Sequence, residues 1–76
     1  MTTLETLTEI TAEAFGVPAA ELSPDRDLRG IDGVDSVKVL RAIARIEQRY
    51  DVELEDSDVF AVKTLGDLVT LIEKAQ

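Results

Sequence analysis

Residues 35–50, Asp35-Ser36-Val37-Lys38-Val39-Leu40-Arg41-Ala42-Ile43-Ala44-Arg45-Ile46-Glu47-Gln48-Arg49-Tyr50, hold the strongest amphipathic pattern in the chain. From Val37 onward they contain no Gly or Pro, and apolar residues recur at helical spacing. The pattern predicts a helix from Ser36 or Val37 to Tyr50. Immediately upstream, Leu28-Arg29-Gly30-Ile31-Asp32-Gly33-Val34 carries two glycines and is poor helix material. Ser36 therefore falls at a helix start, where the first backbone N–H groups are unpaired and the dipole is positive. An anion attached to its hydroxyl would meet favourable amide partners there. Asp and Ser are also the preferred N-cap residues, and most such pairs before helices only cap, so the pair by itself favours capping.

Working outward, Leu4, Leu7, Ile10, Ala14 and Phe15 recur at near-helical spacing and predict a first helix from Leu4 to Phe15. Thr2 with Glu5 resembles a capping box at its start, and Gly16 with Pro18 stops it. Residues 16–35 form a long connection, in which Ser23-Pro24-Asp25 is expected to open a single helical turn. Beyond Tyr50, Asp51-Val52-Glu53-Leu54 reads as a short extended linker. Asp56 or Ser57 is expected to cap a short third helix through Asp58-Val59-Phe60-Ala61. A last helix follows Thr64, which forms a capping-box-like pair with Asp67. Its Leu65, Leu68, Val69, Leu71, Ile72 and Ala75 mark one face. No segment alternates like a strand. The expected fold class is all-α: a small four-helix bundle, with a short third helix and a long loop between helices one and two.

In helical projection, Lys38, Arg41, Arg45 and Arg49 fall within a wedge of about 80°. The apolar residues of the same helix cover about 220°, more than the ~100° needed to face one core. Glu47 projects inside this arc, and a carboxylate is rarely buried without a partner. The sector of Val37, Leu40, Ala44 and Glu47 is therefore expected to face water or a partner, with Val39, Ile43, Ile46 and Tyr50 toward the core. Small exposed apolar sites beside charge are typical of docking surfaces, although scattered exposed apolar residues are also ordinary.

The chain has 76 residues and a formal net charge of −8, with no Cys and no His. One domain, 1–76, is the most such a length holds, with a thin stability margin. Triads of the Ser-His-Asp or Cys-His kind are excluded, as are disulfides and Cys-based zinc sites. Strong negative charge disfavours nucleic acid as a partner. No run approaches the ~18 apolar residues of a membrane span, and Met1-Thr2-Thr3-Leu4-Glu5 has no signal-peptide character. These features predict a cytoplasmic protein, and nothing points to a stable oligomer, so a monomer is expected.

Charge is also segregated. Residues 36–50 carry four bases and one acid, giving +3, whereas residues 51–62 carry five acids and no base. Such a basic stripe could meet an acidic partner face. More often such stripes pair with neighbouring acids or are solvated. The acids of Asp51 to Asp58 do not make a calcium loop: counting from Asp51, Asp56 stands where Gly is required and Val62 where Glu is required. There is no phosphate-cradling Gly-rich loop. Nothing marks two carboxylates for a shared catalytic pocket, so an enzyme is not expected.

With a serine at a helix start after a long loop in a small acidic helical chain, the sequence resembles the carrier-protein family: acyl carrier proteins, with peptidyl carrier domains as relatives. Gly33-Val34-Asp35-Ser36-Val37 is similar to the family's Gly-x-Asp-Ser-Leu signature. Tyr50-Asp51-Val52-Glu53-Leu54 resembles the segment after the second helix, and Thr64-Leu65-Gly66-Asp67-Leu68 the start of the last. The resemblance spans about Leu4 to Ile72. It implies 4'-phosphopantetheine esterified to Ser36 by a separate phosphopantetheinyl transferase using coenzyme A, with Asp35 helping recognition. It implies acyl cargo held as a thioester and partner enzymes that supply the chemistry, among them ketosynthase, acyltransferase or acyl-activating enzymes. Val37, Leu40 and Ala44 would contact partners, joined by Lys38, Arg41, Arg45 and Glu47 on the same helix. Ile46, Leu54, Phe60 and Val62 would accommodate part of an acyl chain.

Two departures stand out. Val37 replaces the usual Leu or Met after the serine. Lys38, Arg41, Arg45 and Arg49 reverse much of the acidic character that the second helix has in bacterial fatty-acid carriers. A discrete carrier for a polyketide or other specialised pathway is thus expected. The alternatives are an aminoacyl or peptidyl carrier, disfavoured by the lack of a second Gly before Asp35, and an acidic helical interaction module without a prosthetic group.

Overall fold

The computed structural model describes residues 2–31 and 33–75. Four α-helices follow one another: α1 (Thr3–Phe15), α2 (Ser36–Tyr50), α3 (Asp56–Ala61) and α4 (Leu65–Ala75). The connection from α1 to α2 holds two short 3₁₀ turns, Ala19–Glu21 and Leu28–Gly30. The all-α class, the four helices, the short third helix and the long first loop are as expected. Among the described residues no helix is long and apolar enough to cross a membrane.

Local chemistry sets the helix ends. At α1, Glu5 N–H donates to Thr2 Oγ1 at 3.1 Å and Thr2 N–H to Glu5 Oε1 at 3.3 Å, which completes the expected capping box. Gly16 closes α1 at φ 72°, a left-handed conformation that is cheap only for glycine, with its N–H on Ala12 O at 2.9 Å. At α2 the cap is Asp35, whose Oδ1 accepts the Lys38 N–H at 3.0 Å. Asp51 ends α2 in the left-handed region at φ 54°. At α4, Asp67 N–H donates to Thr64 Oγ1 at 3.1 Å. Asp67 Oδ2 accepts from Lys63 N at 3.0 Å and Thr64 N at 3.2 Å. These bonds, Lys63 foremost, hold the Asp67 carboxyl below its ordinary value of 3.8.

Two local expectations are corrected. Ser23-Pro24-Asp25 forms a turn closed by Arg26 N–H on Ser23 O at 3.2 Å, and helical turns flank it on either side. The cap of α3 is Glu55, without a side-chain bond, and Asp56 is already helical. Both segments are only a few residues long, where tertiary contacts outweigh local preference.

Helix α1 packs against α2 and α4. Leu7, Phe15, Ile43, Ile46, Leu65, Leu68 and Ile72 are buried between them, with Leu22, Leu28 and Ile31 from the long loop. Ile43 and Ile46 are buried as expected; Val39 and Tyr50 lie half-buried against the core, and Ala42 is buried as well. Ile46 is 0% exposed, so truncation to Ala would cost about 2–5 kcal/mol, a large share of a small domain's stability.

The long loop is tied down by backbone. Leu28 N–H donates to Lys63 O at 2.8 Å, and Gly66 N–H to Pro24 O at 2.9 Å. A Cβ on Gly66 would lie 3.3 Å from that Pro24 oxygen, so glycine permits the close approach. These two bonds fix the segment leading to Ser36 against the α3–α4 junction.

Candidate functional site

Ser36 is the first residue of α2, directly after its cap, and is exposed. Because Asp35 supplies the capping oxygen, Ser36 is not the cap. Among the described residues its hydroxyl takes part in no hydrogen bond. The chain arrives through Gly33 at φ 81°, a left-handed position with nothing within 4 Å of a would-be Cβ. Val34 N–H closes on Ile31 O at 3.1 Å, and Ile31 is buried, so the approach to Ser36 is anchored.

Ser36 opens on a small cleft of ≈ 50 Å³, lined also by Arg29, Val39, Leu40, Val59 and Phe60. Arg29 spans its edge: its N–H donates to Asp27 Oδ1 at 2.9 Å, and its Nη2 donates to Phe60 O at 3.4 Å. A helix N-terminus, a guanidinium and an apolar wall thus surround one exposed hydroxyl. That donor set fits a phosphodiester at Ser36 followed by a largely neutral arm.

The comparisons with known proteins agree. Residues 5–72 match the family described as the phosphopantetheine attachment site. The chain belongs to that family. Carriers of this family are acted on by enzymes and are not enzymes themselves, and their prosthetic group is phosphopantetheine. The chain is also similar to a solution NMR structure of a holo acyl carrier protein from Geobacter metallireducens. The TM-score is 0.83 at 28% identity, over 99% of this chain and 86% of that one. Acyl carrier protein is the kind of carrier that the match and the fold support together.

Within this carrier, Val37 and Leu40 stand 57% and 55% exposed beside Ser36, and Arg41, Ala44 and Arg45 are exposed on the same helix. Lys38 is half-buried, with its Nζ donating to Phe15 O at 3.4 Å. Arg45 Nη1 lies 3.8 Å from Glu13 Oε2. Glu47 departs from the expected outward sector: it is half-buried and its Oε2 accepts the Leu54 N–H at 2.9 Å.

The structure does not bring the four residues expected to accommodate an acyl chain around one cavity. Phe60 is 69% exposed, on the outer cleft rather than in the interior. Val62 lines an inner apolar cavity of ≈ 10 Å³ with Thr11, Phe15, Ala42, Ile43 and Leu68. Ile46 is packed in the core and Leu54 is half-buried at the α2–α3 linker. Arg29 and Val39 border both the cleft and the inner cavity. Sequence periodicity did not single out Arg29, which sits in a turn, or Thr11. The Thr11 hydroxyl is buried without a hydrogen-bond partner among the described residues, beside a space about large enough for one water.

Proposed function

We propose that Ser36 is the attachment point for 4'-phosphopantetheine and that residues 1–76 act as one discrete carrier domain. The observation that carries this is the exposed Ser36 hydroxyl, without a hydrogen bond among the described residues, at a helix start whose cap is taken by its neighbour. In modification, Ser36 Oγ forms a bond to the phosphorus next to pantetheine in coenzyme A. The bond from that phosphorus to the adenosine bisphosphate breaks, and the hydroxyl proton leaves to a base of the phosphopantetheinyl transferase. Asp35 holds the backbone of the first turn so that Oγ stays presented. The group supplies a thiol on which acyl cargo is held as a thioester.

The partners would be ketosynthase, acyltransferase or acyl-activating enzymes meeting the carrier at Val37, Leu40 and Ala44. The work is that of a polyketide or other specialised pathway in the cytoplasm, with the carrier a monomer. Support for the specialised role comes from the +3 charge of α2 against −11 for the rest of the chain, opposite in sign to the second helix of bacterial fatty-acid carriers.

Incubation with coenzyme A, magnesium and a promiscuous transferase should raise the mass by one phosphopantetheinyl group, and Ser36→Ala should abolish the gain. An unmodified chain under conditions that load a control carrier would refute the assignment.

A further inference from the structure

The outward face of α2 is divided lengthwise. By helical projection Leu40, Ala44 and Val37 form its apolar half, followed by Arg41, Arg45 and Arg49 as its basic half. The contacts orient the two halves. Leu40 shares the Ser36 cleft with Val59 and Phe60 of α3, so the apolar half adjoins α3. Lys38 reaches Phe15 O and Arg45 reaches Glu13, so the basic half adjoins α1.

The pairing within the chain leaves most of this charge available. Among the described residues Arg45–Glu13, at 3.8 Å and largely solvent-exposed, is the one ion pair, and contacts of that kind hold little energy. Arg41 and Arg49 are exposed without an ion-pair partner among the described residues. The remainder of the chain carries 15 acids and a net charge of −11, yet among the described residues Glu13 alone lies within ion-pair distance of an α2 base. Leu40 shares the Ser36 cleft with Phe60, at 69% the most exposed large hydrophobic residue of the described chain, and Val37 stands 57% exposed on the apolar half of the helix.

We propose that α2 docks on protein partners whose docking face is acidic on the α1 side and carries an apolar seat on the α3 side for Leu40, Val37 and Phe60. The carrier assignment of Ser36 is presupposed, because it is the serine that partners must approach. Charge complementarity decides the occupant. An acidic face gains from Arg41 and Arg45, whereas a basic face would be repelled by them as it approaches Ser36. The two halves also fix direction, since a partner rotated end for end would set its acids against Phe60 and its apolar seat against arginines.

The test uses one condensing enzyme in two versions, its active-site rim carrying either Glu or Lys at the same positions. Acyl transfer with the loaded carrier should be on the order of tenfold more efficient with the Glu rim at low salt, mostly through KM, and the advantage should shrink at high salt. Arg41→Glu with Arg45→Glu should invert the preference, circular dichroism confirming an intact fold. Leu40→Asn, which removes the apolar contact without adding charge, should weaken both versions alike. Equal efficiency with both rims, or preference for the Lys rim, would overturn the proposal. So would salt-sensitive binding of the carrier to phosphatidylglycerol vesicles that exceeds its binding to the Glu rim. Binding of Ser36→Ala to the two rims, followed by fluorescence anisotropy, reads charge preference without any prosthetic group. Loss of modification at Ser36 and loss of rim preference are therefore separate results.

Discussion

Asp35 Oδ1 accepts the Lys38 N–H at 3.0 Å and thereby relieves its neighbour Ser36 of any capping duty. The division has a measurable consequence. Asp35→Ala should lower stability by about 1 kcal/mol, within the usual 0.5–2 kcal/mol for a lost cap. Ser36→Ala, at an exposed position whose hydroxyl makes no bond among the described residues, should stay within about 0.5 kcal/mol of the parent. Urea denaturation of the two variants measures both. A larger loss from Ser36→Ala than from Asp35→Ala would show that the serine is the structural residue.

Glu47 braces the linker after α2 through the Leu54 N–H at 2.9 Å. Removing a charged acceptor that leaves a half-buried N–H unpaired costs about 1–3 kcal/mol. Glu47→Ala should be destabilising in that range, and Glu47→Gln, which keeps an acceptor oxygen, should recover part of it. Amide hydrogen exchange at Leu54 should speed up in Glu47→Ala and less in Glu47→Gln.

Thr11 is 0% exposed and its hydroxyl lacks a partner among the described residues. Val has nearly the same shape without the hydroxyl. Thr11→Val should therefore raise stability by about 1 kcal/mol, because no desolvated donor remains. A thermal melt reads the gain; a lower midpoint would mean that a water in the neighbouring cavity satisfies the hydroxyl.

Asp67 has a lowered carboxyl pKa because it accepts the Lys63 and Thr64 N–H groups. Its stabilisation is present above the ordinary value of 3.8 and is lost as pH falls through the lowered value in the folded chain. The stability difference between the parent and Asp67→Asn should be constant near neutrality and shrink in acid below that ordinary value. A difference that stays constant through that acid range would remove the carboxylate from the account.

The parts of this fold that were legible in the sequence are those that local chemistry decides. Thr2 and Glu5, Gly16, and Thr64 and Asp67 act on backbone groups within four residues of themselves, so spacing alone identifies them. Helical projection likewise placed Val37 and Leu40 on the surface beside Ser36. It misplaced Glu47 because its partner, Leu54, is reached only after the chain reverses through left-handed Asp51. The family resemblance placed Phe60 along an acyl chain in the interior. Yet α3 has six residues, and Val59 occupies the buried side. Thr11 and Arg29 escaped notice because their settings are created by contacts distant in sequence, such as Arg29 with the Phe60 carbonyl.

The stitches from Leu28 to Lys63 and from Gly66 to Pro24 set an order of events during synthesis. The partners of both stitches, Lys63 and Gly66, lie downstream of Ser36. A nascent chain ending before residue 63 has Ser36 and the Ile31–Val34 turn but neither stitch, so full anchoring of the segment before the serine waits for emergence of the start of the last helix.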